Sequence, residues 1–111
     1  MKVFKKLNIL GSEYEVALKK EIDEPKLKNS NGYTEFYAKK IIIEDITPKE
    51  ETVERLDLFT KKLLRHEIIH AFLFESGLDA NSEWARNEEI VDWIAIQFPK
   101  LLKAIQEADA L

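Results

Sequence analysis

The first 46 residues carry the apolar spacing of strands rather than helices. VFKKLNILG (3–11) and SEYEVALKK (12–20) alternate in part between apolar and polar positions, and Gly11-Ser12 separates them as a turn signal. EPKLKNSNG (24–32) is turn-rich, and Asn31-Gly32 is a strong turn dipeptide. YTEFYAKKIIIEDI (33–46) is rich in aromatic and β-branched residues, which suit a pleated, half-buried surface. The expectation is a small N-terminal antiparallel sheet of three or four strands.

The pattern changes at Thr47. Thr47 as N-cap, Pro48 at the first helical position and Glu50 three residues after the cap predict a helix start. Val53, Leu56, Phe59, Leu63, Glu67, His70 and Phe74 then keep helical spacing to about Ser76, with Gly77 as C-terminal cap. Apolar residues surround the helix from Leu63 to Phe74, so its second half should be buried on most sides. GLDANS (77–82) reads as a loop. Asn81 or Ser82 should cap a second helix, EWARNEEIVDWIAIQF, with Glu83 in its first turn. Pro99 should kink it or begin another, and KLLKAIQEADAL finishes the chain as an amphipathic C-terminal helix. Strands first and helices last is an α+β order, and 111 residues make one domain spanning 1–111.

Composition narrows the chemistry. The chain has no cysteine, which excludes disulfides, iron–sulfur clusters and thiol catalysis but leaves zinc held by histidine and carboxylate. A net charge of −4 gives no reason to expect nucleic acid as a partner. Residues 1–40 carry nine Lys/Arg against six Asp/Glu, the pattern of scattered surface lysines. No apolar run nears the ~20 residues that span a bilayer, and MKVFKKLNILG makes a poor signal peptide, so no membrane association and a cytoplasmic protein are expected.

The chemistry concentrates in RHEIIHA (65–71), which holds both histidines of the chain. On a helix His66 and His70 share a face and can offer two imidazole nitrogens to one metal ion, with Glu67 beside them as a base. Two imidazoles and a glutamate in a buried half-helix would cost several kcal/mol unpaired, and a metal removes that cost. The competing reading is a metal-free interaction helix in which HEIIH is accidental. If a metal is present, its third ligand must be a carboxylate. Past His70 the first helix runs on about 9 Å. A returning helix then comes level with His70 at Glu88 and Glu89. Glu88 is preferred, because it shares a face with Trp84, Val91 and Ala95. Asp92, one turn on, can accept the free N–H of a ligating histidine.

HEIIH followed by NEEIVD resembles the gluzincins, zinc metallopeptidases with HExxH and a downstream glutamate ligand. Asn87, Glu88 and Asp92 match the N-E-x-x-x-D motif of the thermolysin-like members. The metzincin motif does not fit, since it would need Gly at Leu73 and His at Ser76. The resemblance covers about residues 60–98. In size the chain looks like the minimal single-domain zincins of phage and bacterial genomes, including the SprT-like and ImmA/IrrE-like groups. It implies Zn2+ on His66, His70 and Glu88, Glu67 as general base toward a metal-activated water, and Asp92 behind the ligands. The implied activity is peptide-bond hydrolysis in a protein or peptide substrate. The alternative is a zincin-fold metal-binding adaptor or regulatory module with little catalysis. IIIED is expected to pair with an extended substrate. Larger gluzincins add a His or Tyr for the developing oxyanion. Tyr14, Tyr33, Tyr37, Arg65 and Arg86 are the substitutes available, and no motif chooses among them.

Overall fold

The computed structural model describes residues 4–48 and 54–111. Its α+β order is as expected: a four-stranded sheet, then helices. β1 (Phe4–Ile9) and β2 (Ser12–Lys19) form an antiparallel hairpin with Phe4 opposite Ala17 and Ile9 opposite Ser12. Leu10 (φ 51°) and Gly11 (φ 94°) make its two-residue turn, and Asn8 Oδ1 accepts the Gly11 N–H at 2.9 Å. Two positive φ values suit the right-handed twist of the flanking strands. Residues 20–31 then cross over through two short 3-10 turns, Glu21–Asp23 and Pro25–Asn29. β3 (Gly32–Glu35) and β4 (Lys40–Glu44) form a second antiparallel hairpin.

The strand order is β1-β2-β4-β3, so the sheet is mixed rather than wholly antiparallel. β4 lies parallel to β2, with Val16 opposite Ile41 and Leu18 opposite Ile43. Burial explains the insertion. Ile41, Ile42 and Ile43 are all buried, and a strand apolar on both faces belongs inside a sheet. IIIED therefore has both edges occupied, and the expectation that it pairs with a substrate is overturned. β1 and β3 are the edge strands.

One face of the sheet packs on α1 (Leu56–Glu75). Ile9, Tyr14, Val16, Ile41, Ile43 and Ala71 form the core, with Leu63, Leu64 and Ile68 of α1 against them. On the other face the crossover segment brings the Lys26 ammonium to 5.2 Å from the Tyr33 ring centre and pairs it with Glu35.

The helix boundaries differ from those expected. α1 begins at Leu56, not at Thr47. The Thr47 hydroxyl accepts from Lys20 Nζ at 3.1 Å, and a residue before proline disfavours helical backbone. Lys49, Glu50 and Val53 lie outside the described residues. Gly77 ends α1 in the left-handed conformation (φ 87°), as expected of a C-terminal glycine. One helical turn, α2 (Leu78–Asn81), and a 3-10 turn, Glu83–Arg86, follow. α3 then runs over Glu88–Glu107. Its cap is Asn87, whose side chain accepts the Ile90 N–H at 2.9 Å, rather than Asn81 or Ser82. Asn81 instead donates to the Gly77 carbonyl.

Pro99 neither ends α3 nor starts a new helix, so the separate C-terminal helix is the continuation of α3. A proline at position 99 cannot donate to the carbonyl of Ala95. That carbonyl accepts instead from Arg65 Nε of α1 at 2.7 Å. The orphan acceptor is thus satisfied across the helix pair. No helix among the described residues is long and apolar enough to cross a membrane.

Candidate metal centre

His66 and His70 sit one turn apart on α1, and their ring centres lie 4.8 Å apart. α3 runs back along α1 and brings Glu88, in its first turn, against both rings. Glu88 Oε1 lies 2.8 Å from His66 Nε2 and 3.0 Å from His70 Nε2, and the two Nε2 atoms are 3.2 Å apart. Three ligand atoms about 2 Å from a tetrahedral metal would stand roughly 3.3 Å from one another. Among the described residues, His66, His70 and Glu88 form the group that could hold a metal ion. Glu89 is not part of it and lies beside Ile90 and Trp93 on the outer side of α3.

The donor set also fits a cation chemically. Asp92 Oδ1 lies 3.0 Å from His66 Nδ1 and 3.0 Å from Lys62 Nζ. An ionised carboxylate can only accept, so His66 gives its Nδ1–H to Asp92, and Nε2 is the ring atom a cation would take. Two imidazole nitrogens and a carboxylate oxygen then crowd one point, which a metal ion satisfies together. Burial pushes the Glu88 carboxyl up, but hydrogen bonds and charge from His70 and His66 outweigh it, and the net shift is downward. Burial likewise acts against Asp92, and Lys62 and His66 overcome it. Both carboxylates are held in the anionic form that a metal site needs.

Glu67 faces the sheet side of the same region and is 8% exposed. Burial raises its pKa, opposed by the Thr34 hydrogen bond and by the two histidines. The Thr34 hydroxyl on β3 lies 2.8 Å from Glu67 Oε1 and 3.3 Å from its backbone carbonyl. Gly32, two residues earlier, lets the strand approach. A Cβ there would meet Ile43 Cδ1 at 3.0 Å, the Ile42 carbonyl at 3.1 Å and Glu67 Cγ at 3.6 Å. Thr34 was not among the residues singled out from the sequence, and Gly32 was read there only as part of a turn. Their role depends on strand register, which no motif carries.

A cavity of about 490 Å3 opens over this cluster. His66, Glu67, His70 and Glu88 form its floor; β3 contributes Gly32, Tyr33 and Thr34; Asp79 and Arg86 border it from the segment between α1 and α3. No family model, curated protein or solved structure matches the chain.

Proposed function

We propose that the chain is a zinc-dependent hydrolase of peptide bonds. The observation that carries the reading is the convergence of His66 Nε2, His70 Nε2 and Glu88 Oε1 within 3.2 Å of one another, with Glu67 next in sequence to the first ligand. Zinc is favoured because two imidazoles and one carboxylate, with room for a fourth ligand, are a catalytic zinc set. Bound there, zinc would supply a water of near-neutral pKa and polarise a carbonyl.

The chain's own groups supply the rest. Glu67 takes the proton of the attacking water and delivers it to the leaving amine. Thr34 engages Oε1 and leaves Oε2 to carry that proton. Asp92, held by Lys62, keeps His66 in the tautomer that presents Nε2. The free edge of β3 offers main-chain donors and acceptors to an extended peptide, since β4 occupies only its other side.

The test is the metal content of the purified chain beside His70→Ala and Glu67→Gln, with casein hydrolysis measured on the same samples. About one zinc per chain, lost in His70→Ala and kept in Glu67→Gln, with hydrolysis lost in both, is the expected result. Zinc without hydrolysis in the wild type would make the site a metal-binding module. No zinc uptake at micromolar supply would end the metal reading.

A further inference from the structure

Peptide hydrolysis at this site leaves one role unfilled. When the water oxygen bonds to the carbonyl carbon, the C=O π pair moves onto the carbonyl oxygen. On collapse that pair returns, the C–N bond breaks toward nitrogen, and the amine takes the proton carried by Glu67. The oxygen needs an added donor while it is charged.

Of the cavity hydroxyls, Ser30 donates to the Gly32 carbonyl and Thr34 to Glu67. Of the five Tyr and Arg side chains named from the sequence, the fold removes four. Tyr14 is fully buried and donates to Glu75 Oε2 at 2.7 Å. Arg65 gives its Nε–H to the Ala95 carbonyl and does not line the cavity. Tyr37 is 92% exposed and meets Phe74 edge-on, outside the cavity. Tyr33 borders the cavity from the strand, but successive side chains alternate between faces. Thr34 takes the α1 face, and the Tyr33 ring lies on the opposite one beside Lys26.

Arg86 remains. Among the described residues that line the cavity it is the one Lys or Arg, beside three carboxylates, Glu67, Asp79 and Glu88. Its Nη1 donates to the Asp79 carbonyl, which anchors the guanidinium at the rim. Further N–H donors of the fork are left for a second acceptor. We propose that Arg86 donates to the carbonyl oxygen of the scissile peptide and holds the charge that develops there. This rests on the hydrolase reading above.

The test uses zinc-loaded full chain and a phosphinic pseudodipeptide, blocked at both ends, whose tetrahedral anion mimics the charged intermediate. Zinc content and binding are measured for wild type, R86M and R86K. Full zinc in all three, with the phosphinate about 100-fold weaker in R86M and partly recovered in R86K, is the expected result. R86M binding the phosphinate as tightly as wild type at full zinc overturns the role of Arg86 and leaves the metal reading standing. So does a zinc-loaded wild type that does not bind the phosphinate at millimolar concentration. If R86M does not fold, R86K carries the comparison, and unchanged phosphinate affinity in R86K overturns the proposal. Absence of zinc from the wild type overturns the metal reading and this proposal with it.

Discussion

The Thr34 hydroxyl lies 2.8 Å from Oε1 of Glu67, across 33 residues of chain. This bond fixes the carboxylate of the proposed base from the edge strand. Thr34→Val keeps the shape and removes the donor. Its expected effect is a fall of about 10- to 100-fold in kcat with zinc content unchanged, and Thr34→Ser should recover most of the loss. Steady-state kinetics on any peptide the zinc-loaded chain cleaves would check this. Equal kcat in Thr34→Val and wild type would remove Thr34 from the mechanism.

In the proposed zinc site Asp92 bears on metal affinity rather than on the proton. Its Oδ1 holds both His66 Nδ1 and Lys62 Nζ. Asp92→Ala frees the ring to turn and should weaken zinc binding about 10- to 100-fold. Competition against a chromophoric chelator measures the change. A zinc ion that binds the folded chain stabilises it, so on this reading the same variant should gain less thermal stability from added zinc than wild type does.

Arg65 and Pro99 form a coupled pair through the Ala95 carbonyl. Arg65→Met leaves that acceptor without its donor and is expected to cost about 1–3 kcal/mol. In a Pro99→Ala background the helix regains the N–H that Ala95 lacked, so the same substitution should cost less. A double-mutant cycle by urea unfolding reads the difference directly, and additivity within about 0.5 kcal/mol would count against the coupling.

Glu75 sets an acid limit on the sheet–helix junction. Its carboxylate accepts from Ser12 and Tyr14 at 2.7 Å each and from Lys39 at 2.6 Å. The Lys39, Tyr14 and Ser12 hydrogen bonds hold its pKa down to about 2. The unfolded chain returns it to about 4.3. A depressed folded pKa contributes stability that is present above the unfolded value and lost as pH falls through the folded one. Wild type should therefore exceed Glu75→Gln in urea midpoint at pH 6. The gap should narrow steadily from about pH 4.3 to 2. A gap independent of pH would show that the carboxylate charge is not what ties α1 to β2.

What was legible in the sequence was local. His66, Glu67 and His70 read directly from helical spacing, and Glu88 and Asp92 from the length of helix needed to return beside them. The first hairpin was legible from Gly11; the second was not, because its turn lies at 36–39 inside the run read as strand, and Gly32 of the expected turn dipeptide begins β3. Strand order was not, because the parallel pairing of β2 with β4 depends on where a 12-residue crossover lands. The helix expected from Thr47 starts at Leu56 instead, and the Thr47 hydroxyl accepts from Lys20. Of the two readings of Pro99, a new helix falls and a continuing helix stands, and the donor that satisfies the Ala95 carbonyl there sits on another helix.

The spread of these contacts along the chain has a consequence for assembly. His66 and Glu88 are 22 residues apart, and they lie on two helices joined by a short connection. Thr34 reaches Glu67 from a different half of the molecule, behind a strand crossover. On the proposed reading the ligand set needs only the helical pair, whereas the proposed base also needs β3 in place. A chain whose sheet had not closed would then be loaded before it was armed.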